Sequence, residues 1–172
     1  MTVSAASLPK DSALWAHHAP GDFMDCYEAT AVSTTMELED AVRTAIAEMP
    51  AWVSLLMDMR NRIVGPLGLK AGRHSLQPES ATGDEVALET PRDPAAERIV
   101  FTVRERYEHE IILGEDDKHL DFRVTLYREH GTYYVATWVR PNAWYGWVYL
   151  YSILPFHKLI MRLSAKRLEK TS

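Results

Sequence analysis

The spacing of apolar residues along this chain changes twice. From Leu38 to Met49 they recur as Leu38, Ala41, Val42, Ala45, Ile46 and Met49, the i, i+3, i+4, i+7 rhythm of one helical face. Thr34 and Glu37 stand at capping-box spacing just before it. Pro50 removes an amide donor and ends that helix, and it suits the first turn of a second one. Trp52, Leu55, Leu56, Met59 and Ile63 supply the second helix's apolar face, up to Gly65-Pro66. From Ile99 the period becomes two. Ile99, Phe101 and Val103 alternate with Val100, Thr102 and Arg104. Leu120, Phe122, Val124 and Leu126 alternate with Asp121, Arg123 and Thr125. Tyr133, Val135, Thr137 and Val139 alternate with Tyr134, Ala136 and Trp138. Ile111 to Leu113 reads as a shorter strand.

Gly114-Glu115-Asp116-Asp117 and Glu129-His130-Gly131 read as tight turns between these runs, so neighbouring strands are expected to be antiparallel. After Pro141-Asn142 the pattern becomes continuous. Trp144 to Leu163 is the most apolar and aromatic part of the chain, and it predicts a final helix of roughly twenty residues or more. Upstream, residues 1–20 read as an irregular leader ending at Pro20-Gly21, and Asp22 to Val32 as a first strand. Residues 65–97 read as a surface excursion with one short strand near Val86 to Leu88. Strand, two helices, antiparallel meander and long helix make an α+β order in a single domain over residues 21–172.

Composition narrows the function classes. A net charge of −5 offers no global attraction to nucleic acid. A single cysteine, Cys26, excludes an intrachain disulfide and fits the cytoplasm. The N-terminus lacks the basic start and apolar core of a signal peptide. The uncharged stretch from Asn142 to Phe156 is shorter than the ~20 residues a membrane-spanning helix needs. No transmembrane segment is therefore expected, and the oligomeric state is left open.

Candidate chemistry is sparse. His17-His18 has no further ligands at metal spacing, and Glu115-Asp116-Asp117 lacks the calcium-loop spacing, so no metal is expected. Cys26 reads as a small buried apolar residue rather than a nucleophile. No glycine-rich phosphate loop and no nucleophile elbow are present, so neither a cofactor nor a catalytic residue is assigned. His157 reads as a polar residue at the margin of a packed helix, or as a candidate base or anchor. Arg104, Glu105, Arg106, Asp121 and Arg123 interleave charges on neighbouring strands. Arg106 or Arg123, turned inward, would hold a carboxylate. Lys158, Arg162, Lys166 and Lys170 recur every four residues as one stripe, either solvated or facing an anionic membrane.

Leu113–Val124 (LGEDDKHLDFRV) and Leu150–Leu163 (LYSILPFHKLIMRL), with the tryptophan-bearing helix after Pro50, resemble the bacterial family called domain of unknown function 2867. The element order resembles the helix-grip arrangement of the START and Bet v 1 superfamily. That resemblance implies a long C-terminal helix lying against an antiparallel sheet, and it implies no established activity. Together with the aromatic set it leads to the expectation of a small, largely apolar ligand between the final helix and the sheet. The expected lining is Trp52, Leu56, Phe101, Tyr107, Phe122, Trp138, Trp147 and Tyr151, with Arg106, Arg123 and His157 as candidate polar anchors. The alternatives are a docking module, for another protein or a membrane surface, built on the aromatic and basic final helix, or an enzyme acting on the bound ligand.

Overall fold

The structure is a computed structural model and describes residues 4–30, 36–46, 85–87, 100–116 and 120–170. Among the described residues, seven strands run β1 (Ser4–Ala5), β2 (Phe23–Thr30), β3 (Glu85–Ala87), β4 (Val100–Arg106), β5 (Glu110–Asp116), β6 (Leu120–Glu129) and β7 (Thr132–Pro141). They form one antiparallel sheet in the order β1-β2-β7-β6-β5-β4-β3. Helix α1 (Leu38–Ile46) follows β2, and the 27-residue helix α2 (Trp144–Lys170) follows β7. The result is the expected α+β, helix-grip-like arrangement. The second expected helix, with Trp52 and Leu56, lies outside the described residues, as do Thr34 and Met49.

The period-two runs become β4, β6 and β7, and two of the hairpins show a local cause among the described residues. Between β6 and β7, His130 (φ 48°) and Gly131 (φ 76°) both take positive φ, the two-residue turn whose twist suits a hairpin. Glu129 and Thr132 close it as a register pair. Between β4 and β5 the amide of Tyr107 donates to the carbonyl of Glu110 at 2.8 Å. Gly114 permits a close approach, because a Cβ there would lie 2.2 Å from the Phe122 carbonyl oxygen and 2.7 Å from Arg123 Cδ.

Alternation divides the residues between two faces. One face carries Tyr27, Ala29, Val103, Ile111, Leu113, Leu126, Tyr133 and Val135. These cluster with Leu38, Ala41, Val42 and Ala45 of α1 and with Met161, Ala165 and Leu168 of α2. Phe122 and Val124 share that face by parity and are half-buried, while Leu126 is buried. The opposite face carries Cys26, Ile112, Ala136 and Trp138, covered by Leu8 and Leu14 of the N-terminal segment. The expected irregular leader is thus a built layer: β1 pairs with β2, and residues Ala13–Ala16 form a 3₁₀ turn capped by the Ser12 side chain. A buried carboxylate fastens it, for Glu110 accepts from the Ser12 hydroxyl, the Ala13 amide and the Thr125 hydroxyl, each at 2.6 Å. Strands β2 and β7 are therefore covered on both faces, which explains why β7 is apolar at consecutive positions.

Candidate ligand site at the helix-sheet seam

α2 lies across β7 and β2 and beside α1. Its sheet-facing residues recur at helical spacing: Leu150 and Met161 are buried, and His157 is half-buried between them. The odd positions of β2 point toward α2, so the strand presents Phe23, Asp25 and Tyr27 to it. Asp25 is thus a carboxylate on an otherwise apolar face. Its Oδ1 lies 3.2 Å from Nε2 of His157, with both side chains largely buried. The Phe23 ring stands edge-on to the imidazole at 6.2 Å. Thr137, the register partner of Asp25, turns its hydroxyl to the Met161 sulfur at 3.4 Å. Burial pushes the Tyr27 phenol up, helped by the nearby Asp25 charge, while Arg162 rests over its ring at 5.7 Å and opposes the shift. Among the described residues, the other carboxylate oxygen, Oδ2 of Asp25, is buried without a hydrogen-bond partner. A buried acceptor left open costs free energy unless something occupies it. The seam is also suited to proton transfer, because Asp25 can orient the ring through Nε2 and leave Nδ1 as the acceptor.

Among the described residues, the expected lining does not converge. Trp138 is buried on the opposite face, beneath the leader. Register explains this correction: Phe122 is opposite Val139 and Arg123 opposite Trp138, so Phe122 and Trp138 face opposite ways. Tyr151 is exposed on α2, and half-buried Trp147 leans on its ring at 5.9 Å. Tyr107 is exposed just past β4, with its hydroxyl donating to Glu105. It borders an open cleft of about 820 Å³ with Asp11, Ala13, Tyr127 and His130, on the leader side. Phe101 pairs with Val86 at the backbone, and its side chain, like Trp52 and Leu56, lies outside the described residues. Of the polar anchors, His157 alone meets the seam. Arg106 is exposed and bound to Glu39 of α1 at 2.7 Å. Arg123 is 8% exposed on the leader face, where it salt-bridges Asp116 at 2.7 Å and donates to the carbonyls of Phe122 and Glu115. Its alternation with Phe122 and Val124 turns it away from α2, and the guanidinium holds the Asp116 carboxyl below its usual value.

That leader face has its own charge network. Arg140 grips Asp22 through Nε at 3.1 Å and Nη2 at 2.8 Å, while the Trp138 indole donates to the same carboxylate at 2.9 Å. The Arg140 hydrogen bond is the main reason the Asp22 carboxyl falls to about 2. His17 meets Glu105 at 2.8 Å. The Tyr107 hydroxyl, with His17, holds the Glu105 carboxyl below its usual value. Cys26 is buried there, and burial pushes its thiol up to about 12, which leaves almost no thiolate near neutrality. These groups compensate one another and fix the leader. Among the described residues, no three His, Cys, Asp or Glu side chains gather as a metal site, and no helix is long and apolar enough to cross a membrane.

Sequence reasoning passed over Asp25. The signal was present: in Asp22–Thr30 the positions Phe23, Tyr27 and Ala29 form one apolar face, and Asp25 interrupts it. Neither the curated proteins nor the solved structures contain a match to this chain. A family profile does match, over residues 17–164, which takes in strands β2 to β7, the seam and most of α2, and the chain belongs to that family, described as protein of unknown function (DUF2867).

Proposed function

We propose that the protein binds a small, largely apolar ligand at the seam between α2 and the sheet, and that this ligand carries a hydrogen-bond donor taken up by Asp25. The open, buried Oδ2 of Asp25 beside His157 carries the reading. Ligand sites are mostly apolar with a few fixed polar groups, and Phe23, Tyr27 and Met161 supply apolar surroundings for this pair. The carboxylate selects for alcohols and amines and against carboxylates. Thermal unfolding measured with dodecanol, dodecylamine and dodecanoate tests this. The first two should raise the melting temperature with concentration, and dodecanoate should not. Asp25→Asn should erase the preference. Equal shifts with all three, or none with any, would overturn the proposal.

The carboxylate–imidazole pair also favours a second reading, in which His157 takes a proton from the bound ligand. Turnover of a ligand that disappears in His157→Gln while binding persists would support it. Binding with no turnover in the unmodified protein would count against it.

A further inference from the structure

The outer face of α2 is apolar where a solvated helix would be polar. Trp144 is 77% exposed, Val148 61% and Tyr151 65%, and Leu159 is also open to solvent. Their spacing, with exposed Pro155, is i, i+4, i+7, i+11, i+15, one line along the helix. The same line continues into exposed Lys166, with exposed Lys158 beside it, while Arg162 turns its guanidinium back over the Tyr27 ring. Glu169 is the only acidic residue in α2, in a chain whose net charge is −5. An apolar stripe and two lysines thus share one helix face, opposite the side that bears His157. Pro155 lacks an amide hydrogen and leaves the Tyr151 carbonyl without its helical partner, on this solvent-facing side.

We infer that this face docks on an anionic lipid bilayer surface, with α2 parallel to the membrane plane, the apolar line entering the acyl boundary, and Lys158 and Lys166 among the headgroups. Size disfavours a second copy of the chain. The line from Trp144 to Leu159 is about 22 Å long and, at a helix width of about 10 Å, covers on the order of 200–300 Å². A stable protein interface needs about 800 Å² from each partner. Charge disfavours an acid-bearing apolar ligand as the sole occupant, because the cations extend beyond the end of the apolar line. The inference stands apart from the ligand proposal, which uses the inner face.

Co-sedimentation of the full chain with vesicles tests it. Vesicles of phosphatidylcholine containing ~30 mol % phosphatidylserine should pull the protein down, and vesicles of phosphatidylcholine alone should do so far less. Lys158→Gln with Lys166→Gln should lower the partition on the order of thirtyfold, and added salt should weaken it. Trp144→Ser with Val148→Ser should abolish it, and both double variants should keep the far-ultraviolet circular dichroism of the parent. Binding should move the tryptophan emission to shorter wavelength, and Trp144→Ser should remove most of that shift. No binding to the anionic vesicles at low salt would overturn the inference. So would binding unchanged in both double variants, or self-association in sedimentation equilibrium that Trp144→Ser removes.

Discussion

At Asp22 a single carboxylate joins three parts of the chain. It accepts from Arg140 and Trp138 of β7 and from the amide of Ala19 in the leader. The Arg140 contact lowers its folded-state value to about 2 from an ordinary 3.8. Because the folded value is the lower one, Asp22 contributes stability that is full above about pH 4. That stability is lost as the pH falls through about 2. Asp22→Asn should therefore reduce the urea midpoint at neutral pH, and the gap to the parent should close as the solution is acidified across that window. A gap that stays constant from neutral pH to about pH 2 would show that the ionised carboxylate is not what matters there. Asp25 differs in kind. It has one partner and one open oxygen, which is why the seam and not the Asp22 network is the candidate site.

Among the elements, the leader departs most from what its sequence suggests. Leu8 and Leu14 stand six apart with Pro9 between them and polar Lys10 and Ser12 at the intervening even positions, which breaks both a helical and a strand face, so the pattern carries no signal for a packed layer. Its order comes instead from contacts with distant residues, above all the Glu110 carboxylate. By contrast β4, β6, β7, α1 and α2 were legible, since each buries one face and shows its period. The site was only partly legible. His157 could be singled out by type, but its partner on β2 requires knowing that α2 crosses that strand. Trp138 was misplaced because a large ring suggests a cavity wall, whereas strand parity, already written in the alternation of Tyr133 to Val139, sends it the other way. The leader's role as a cover is open to measurement. Leu14→Ala should remove a fully buried side chain and loosen the layer over Cys26, so the reaction of Cys26 with an aromatic disulfide reagent should accelerate markedly. An unchanged rate would mean that β2 and β7 protect the thiol without the leader.

At the scale of the whole molecule, the sheet is a shared wall between two cores. The helix-side core contains Leu168, and the leader-side core contains Leu14, both essentially without solvent exposure. The same strands line both: Cys26 and Tyr27 are neighbours on β2 and point to opposite cores, as do Val135 and Ala136 on β7. Losing either layer leaves β2 and β7 with an uncovered apolar face, so the two cores should unfold together. Leu14→Ala and Leu168→Ala should each cost roughly 2–5 kcal/mol, from lost transfer energy and the cavity left behind. Because the sheet separates the two sites and they share no partner, the costs should add to within about 0.5 kcal/mol in the double variant. Urea unfolding followed by tryptophan emission, sensitive to Trp138 on the leader side, and by far-ultraviolet circular dichroism, sensitive to α2, should give one coincident transition in all the variants. Two separated transitions in Leu14→Ala, with the fluorescence change preceding the loss of helix, would mean that the leader and its core form a detachable layer and that α2 and the other face of the sheet stand without it.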